Sequence, residues 1–175
     1  MSTQVLISPA DLNRLRQSEP TVLIDTRDPI QFAEAHIPGA ANVRDVFTYL
    51  ATSTSGGLAT LREKFADAFG KAGLSGAETA IVYEQSMESG FGQSCRGYIL
   101  LRYLGYPKIR VLHGGLTAWH GAGLLVSSDS SPPTPKPFPA RKGGEKIIVD
   151  LAAMKDALSD PGIIKLDVRD VDEWI

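Results

Sequence analysis

Cysteine is almost missing from this chain: Cys95 is the only one in 175 residues. A lone thiol excludes an intrachain disulfide and a multi-cysteine zinc site, and three dispersed histidines do not supply a metal centre instead. Net charge is also scarce, at a formal −2. Nothing global therefore draws the chain to nucleic acid or to an anionic membrane, so any anion site must be local. No apolar run approaches the ~18 residues of a membrane span, and Met1-Ser2-Thr3-Gln4 lacks the basic and apolar regions of a secretory leader. With its single free thiol, the chain is expected in the reducing cytoplasm. What is present is ordinary for a folded protein, with 43% hydrophobic and 22% charged residues. The length suits one well-buried domain with material left over, whereas two full domains would be cramped.

Val22-Leu23-Ile24-Asp25, Ala80-Ile81-Val82-Tyr83 and Ile109-Arg110-Val111-Leu112 are short apolar runs of the kind that form buried parallel strands. Helical patterns alternate with them. Ser8 and Pro9 suit the start of a helix over residues 9–16, with Leu12 and Leu15 on its apolar face. Leu61, Phe65, Ala68, Phe69 and Ala72 recur at helical spacing over 61–72, and Ile99, Leu100, Tyr103 and Leu104 do so over 96–104. Alternating strands and helices predict an α/β fold with a parallel central sheet, flanking helices and right-handed crossovers.

The character changes after Leu125. Serines 127, 128, 130 and 131 run into Pro132, Pro133, Pro135, Pro137 and Pro139, a composition that predicts a semi-extended linker over 126–145. Beyond it, residues 146–175 repeat the N-terminus at a constant offset of 142 residues. Leu23-Ile24-Asp25-Thr26-Arg27-Asp28 falls on Lys165-Leu166-Asp167-Val168-Arg169-Asp170, and Phe32 falls on Trp174. One helix and one strand cannot bury a sheet's faces, so this second copy reads as the beginning of a domain whose remainder is truncated, nicked away or separate.

The stretch from Asp25-Thr26-Arg27-Asp28 through Phe32 to His36-Ile37-Pro38-Gly39-Ala40 resembles the rhodanese signature. The later His113-Gly114-Gly115-Leu116-Thr117-Ala118-Trp119-His120-Gly121-Ala122-Gly123 is similar to that family's closing motif. Together they bracket one complete domain over residues 1–125. Most of these residues suit structural roles. Asp25 can accept from loop amides, and Arg27 can pair with a nearby carboxylate. Pro38 and Gly39 shape a turn, and Gly114-Gly115 permits a tight turn into a helix carrying a core-packed Trp119. His36, alone beside a turn, is read as capping or packing rather than catalytic.

The resemblance implies a tandem thiosulfate sulfurtransferase. In active members, a cysteine directly after the Tyr83-type strand end sits in a compact loop of inward-facing amides, with an arginine opening the next helix. Its persulfide carries sulfane sulfur from thiosulfate or a similar small donor to a thiol or cyanide acceptor. No cofactor is implied. Here the nucleophile position is Glu84, which cannot form a persulfide and would repel an anionic donor. The loop containing Gly90 and Gly92 is long, and Arg96 matches the helix-opening arginine. This pattern resembles the non-catalytic first domain of two-domain members, with the main cysteine expected beyond residue 175 and the rest of the second domain as partner.

Cys95 keeps two alternatives open. Beside Arg96 at a helix start its thiol could serve as the sulfur carrier of a single active domain. The other reading is a small inert side chain packed there. Counted from Cys95, the C-x5-R spacing of dual-specificity phosphatases reaches Leu101 and argues against that reading. Arg96 could bind an anion, but is expected instead to hold the loop by pairing with Glu84 or Glu88, and Arg44 and Lys71, outside any motif, are expected to be solvated. A third reading is a catalytically silent interaction module, since fold alone does not fix function.

Overall fold

The computed structural model describes residues 4–89, 91–129, 131–141, 147–168 and 172. Five parallel strands form one sheet: β1 (Leu6–Ile7), β2 (Thr21–Asp25), β3 (Ala41–Asn42), β4 (Thr79–Tyr83) and β5 (Ile109–Leu112). Their spatial order is β1-β5-β4-β2-β3. The central β4 is buried along its whole length, as a strand covered on both faces must be. Its alternate side chains divide between two cores. Ala80 and Val82 join α4 (Ser55–Lys71) and α5 (Gln93–Tyr103), while Ile81 and Tyr83 join α1 (Pro9–Ser18) and α6 (Gly115–Gly121). Two short helices, α2 (Pro29–Glu34) and α3 (Asp45–Thr48), complete the domain on either side of β3.

Capping chemistry sets the helix starts. Ser8 accepts from the Asp11 amide and Pro9 opens α1, while Asp28 accepts from the Ile30 amide ahead of Pro29 in α2. Thr54 caps α4, which therefore begins six residues before the first apolar position of its predicted stripe, Leu61. The later α7 (Leu151–Ser159) is capped by Asp150, which stands 142 residues after Ser8. Leu151, Met154 and Leu158 are exposed on α7, and residues 163–168 carry no strand. Leu166 and Asp167 are thus not in a strand, unlike Ile24 and Asp25. Arg169, Asp170 and Trp174 of the repeat lie outside the described residues.

Glu78, at the entry to β4, links the sheet to the proline-rich segment. Its carboxylate accepts from the Ser75 amide and hydroxyl at 2.8 and 2.9 Å and from Lys136 Nζ at 2.7 Å. Burial alone would raise this carboxyl, but Lys136 and the Ser75 donors together hold it down to about 2. A depressed carboxyl contributes stability in full above its ordinary range and loses it as the pH falls toward 2. The contribution is on the order of 3 kcal/mol, and Glu78→Gln should flatten the decline. Urea midpoints at pH 7 and pH 3 check this; an undiminished acid decline in the variant would refute it.

Candidate functional site

The candidate site lies where β2, β4 and β5 end together, at the carboxyl ends of parallel strands, where ligands commonly bind. Asp25 closes β2 with a buried carboxylate. It accepts from the Arg27 amide at 2.9 Å and from Arg27 Nη2 at 2.7 Å, with Nε bridging both oxygens at 3.1 Å. The same guanidinium donates to the Ala35 carbonyl at 2.6 Å and to Gln85 Oε1 at 2.9 Å. One buried ion pair thus ties the end of β2 to the chain before His36 and to the loop after β4. Beneath it, burial and the Asp25 carboxylate push the Tyr83 hydroxyl well above its ordinary range. That hydroxyl accepts from the Ile37 amide at 3.2 Å.

Glu84 follows β4 directly and is 1% exposed. Its Oε2 accepts from the Gln93 amide at 3.0 Å and its Oε1 from the Ser94 hydroxyl at 2.5 Å. The carboxylate therefore caps α5 across the loop, supplying the negative group that the positive helix end favours. Gly92, the N-cap residue, has φ 69° and no side chain to do this itself. The loop backbone is held from the other side by α6, with Leu116 N donating to Glu84 O at 2.9 Å and Thr117 N to Gln85 O at 3.0 Å. That approach requires glycine at 115: at φ 61°, a Cβ there would lie 2.4 Å from Glu84 O and 2.8 Å from Gln85 O.

Three expectations need correction. Arg96 pairs with neither Glu84 nor Glu88; its Nη2 donates to Tyr49 O at 2.5 Å, because Glu84 turns inward to the helix amide instead. Arg44 is not simply solvated. It is half-buried at the rim, donating to Thr26 O at 3.3 Å and Gln93 Oε1 at 3.1 Å, with its guanidinium 5.0 Å from the Phe47 ring centre. Cys95 is exposed rather than packed at the helix start. It is the third residue of α5, outside the pair of groups that Glu84 engages. Lys71 is exposed and pairs with Asp67 at 2.7 Å.

A model of the rhodanese-like domain matches residues 8–122, well over half of the chain. The chain belongs to the rhodanese-like domain family. It is similar to a thiosulfate sulfurtransferase of Azotobacter vinelandii, 30% identical over 173 residues, which are 99% of this chain and 59% of that protein. A 3-mercaptopyruvate sulfurtransferase of Rattus norvegicus is 30% identical over 160 residues, 83% of this chain and 54% of that one. The chain thus spans little more than half the length of these relatives. Among solved structures, the 3-mercaptopyruvate sulfotransferase SseA from Escherichia coli matches with a TM-score of 0.79 at 22% identity, over 98% of this chain and 68% of that chain. An anaerobic ergothioneine biosynthesis enzyme from Chlorobium limicola matches with a TM-score of 0.70 at 23% identity, over 90% of this chain and 42% of that one. At these identities the structural matches speak for the rhodanese fold alone.

Within this rhodanese-like domain, the remaining motif residues take structural places. His36 is buried and stacked on Phe32 with ring centres 3.9 Å apart; Nδ1 faces Phe32 O at 2.7 Å and Nε2 faces Asp129 O at 3.2 Å. Both ring nitrogens are engaged by backbone, which leaves neither aimed at the loop after β4. Gly39 turns at φ 79° and Gly114 at φ 75°. Trp119 is buried and donates from Nε1 to Leu125 O at 2.8 Å. Gly90 lies outside the described residues. Beside it, Phe91 is 85% exposed at φ 52°, the one non-glycine residue with positive φ among those described. No group of three or more potential metal ligands occurs among the described residues. Sequence reading missed Gln93 and Ser94 and misread Arg44; none carries a motif, and they meet Glu84 or its neighbours only through the fold.

Proposed function

We propose that this chain is the first, non-catalytic domain of a tandem rhodanese-type sulfurtransferase. The intact protein would move sulfane sulfur from thiosulfate or a similar donor to a thiol or cyanide acceptor. A cysteine thiolate attacks the donor's sulfane sulfur, the remainder leaves, and the resulting persulfide gives that sulfur to the acceptor. The observation that carries the reading is Glu84, whose carboxylate occupies the helix end where an active copy would hold its sulfur anion. With the Gln93 amide and the Ser94 hydroxyl already engaged by a side chain that cannot form a persulfide, an anionic donor would meet an occupied helix end. The main cysteine is then expected in the part of the protein that follows residue 175. Further support comes from the greater length of the relatives and from the second N-cap, Asp150, at the repeat's offset from Ser8. The proposed organisation is a rhodanese-like domain over 1–125, a connecting segment over 126–145 and the start of a second such domain over 146–175.

Exposure of Cys95 favours a second reading, in which this thiol meets a donor from solvent and carries sulfur itself. Intact mass separates the two. After incubation with thiosulfate, the 175-residue chain is expected to gain no sulfur, whereas a polypeptide continuing past Ile175 gains one atom and turns over with cyanide. An adduct on the shorter chain that disappears in Cys95→Ser would instead favour the carrier reading. Failure of the longer polypeptide with every sulfur donor would favour the silent interaction module.

A further inference from the structure

We propose that this domain carries a groove for a proline-rich extended segment and that residues 131–141 of the same chain are its resident ligand. The inference is independent of the sulfur chemistry. The matched rhodanese-like region ends at residue 122, so the segment lies outside it. Composition predicts a semi-extended linker there; the structure seats it against the domain over most of its length.

The floor of the groove is a track of glycines. A Cβ at Gly70 would come within 2.8 Å of Lys136 O, one at Gly76 within 2.9 Å of Pro139, and one at Gly105 within 2.9 Å of Arg141 Cβ and 3.0 Å of its carbonyl oxygen. Gly76 and Gly105 have positive φ and need glycine in any case. Gly70 does not: it lies in the last turn of α4, without positive φ, where glycine is a poor helix former. Contact with the passing backbone is what this glycine accommodates, and its carbonyl accepts from the Lys136 amide at 2.9 Å.

Side chains complete the recognition. Phe138 enters an aromatic slot, 5.9 Å from Phe69 and 5.5 Å from Tyr106 between ring centres, the latter pair stacked. Lys136 reaches the buried Glu78, which also accepts from Tyr106 Oη at 3.3 Å. Further along, the Arg141 amide donates to Leu104 O at 3.0 Å, and Arg62 Nη2 donates to Arg141 O at 3.1 Å. An aromatic slot, a carboxylate for a lysine and spaced backbone contacts are the means by which proline-rich segments are bound, since prolines preset an extended ligand that loses little entropy on docking. Residues 131–141 are therefore held to the domain at successive points, the last of them beside Leu104.

The test uses the whole chain with a protease recognition sequence inserted at Ser128 and a second between Arg141 and Ile147, the latter because Ile148 also touches the core. After cutting at both, the released segment is expected to co-elute with the domain in native size-exclusion chromatography, and to separate from it in Phe138→Ala. In the uncut chain, the Lys136 and Arg141 amides are expected to exchange with deuterium about 100-fold or more slowly than in a free peptide. Separation of the unmutated segment, or exchange of both amides at the free-peptide rate, would overturn the proposal.

Discussion

Replacing Gly115 by alanine is expected to cost the domain more than about 4 kcal/mol and, in most preparations, its folded state. Two penalties coincide at this residue. The backbone sits at φ 61°, where an L side chain costs on the order of 1–2 kcal/mol even in open space. The added Cβ would also press into Glu84 O at 2.4 Å and Gln85 O at 2.8 Å, and both are backbone atoms that cannot swing aside. Relief requires α6 to back away from the loop after β4. That movement breaks the Leu116 and Thr117 amide bonds to those same carbonyls and opens the core around Leu116 and Trp119. Gly123 is the internal control, because it turns at φ 70° with nothing within 4 Å of an added Cβ. Gly123→Ala should show the backbone penalty alone. Urea unfolding of both variants decides the matter: similar losses would mean that the approach of α6 to the loop is not the constraint.

Glu84→Ala is expected to destabilise the domain by about 2–4 kcal/mol, the range for leaving buried donors without partners. The amide of Gln93 and the hydroxyl of Ser94 would lose their acceptor in a space that water reaches poorly, since Glu84 and Ser94 are buried. Glu84→Gln should cost less, about 1–2 kcal/mol, because its amide oxygen can still receive the Gln93 N–H while the Ser94 hydroxyl turns to accept from the new NH2 group. Deuterium exchange adds a spatial signature. Loss of the cap should speed exchange in the first turn of α5 while leaving the Val82 and Tyr83 amides at the rate set by global unfolding. Equal stability of all three proteins would show that the carboxylate is a passenger in the loop, and the reading of Glu84 as a built-in counter-charge would fall with it.

How far the chain could be read in advance depended on the range of the interactions involved. Strands β2, β4 and β5 are apolar runs and α1, α4 and α5 are periodic, so each announces itself within a few residues. Strands β1 and β3, two residues each, carry no periodicity and exist because β5 and β2 offer them an edge. At the site, the sequence reading gave Arg27 a carboxylate partner without naming it, which the structure makes Asp25, and the motif frame put Glu84 directly after β4. Its partners were illegible, because Gln93 and Ser94 lie nine and ten residues away across an irregular loop. Arg96 misled for the opposite reason. Nearby acids in the sequence suggested an ion pair, but a carbonyl 47 positions away, Tyr49 O, receives its guanidinium. Arg44 shows the same effect, held by Thr26 and Gln93 from segments on both sides of the sheet's end.

Arg27 makes the rim of this site a modular assembly. Its guanidinium clamps the end of β2, the Ala35 carbonyl and Gln85 at a single point. The loop after β4 is therefore anchored at its first two residues, Glu84 and Gln85, and again where α5 starts, with its other described residues between those two fixed points. Insertions, deletions and changes of chemistry can accumulate in this span without moving the strands that carry it. A fold wired in this way can exchange one loop for another as a cassette, and lose or gain a reaction while its core stays the same.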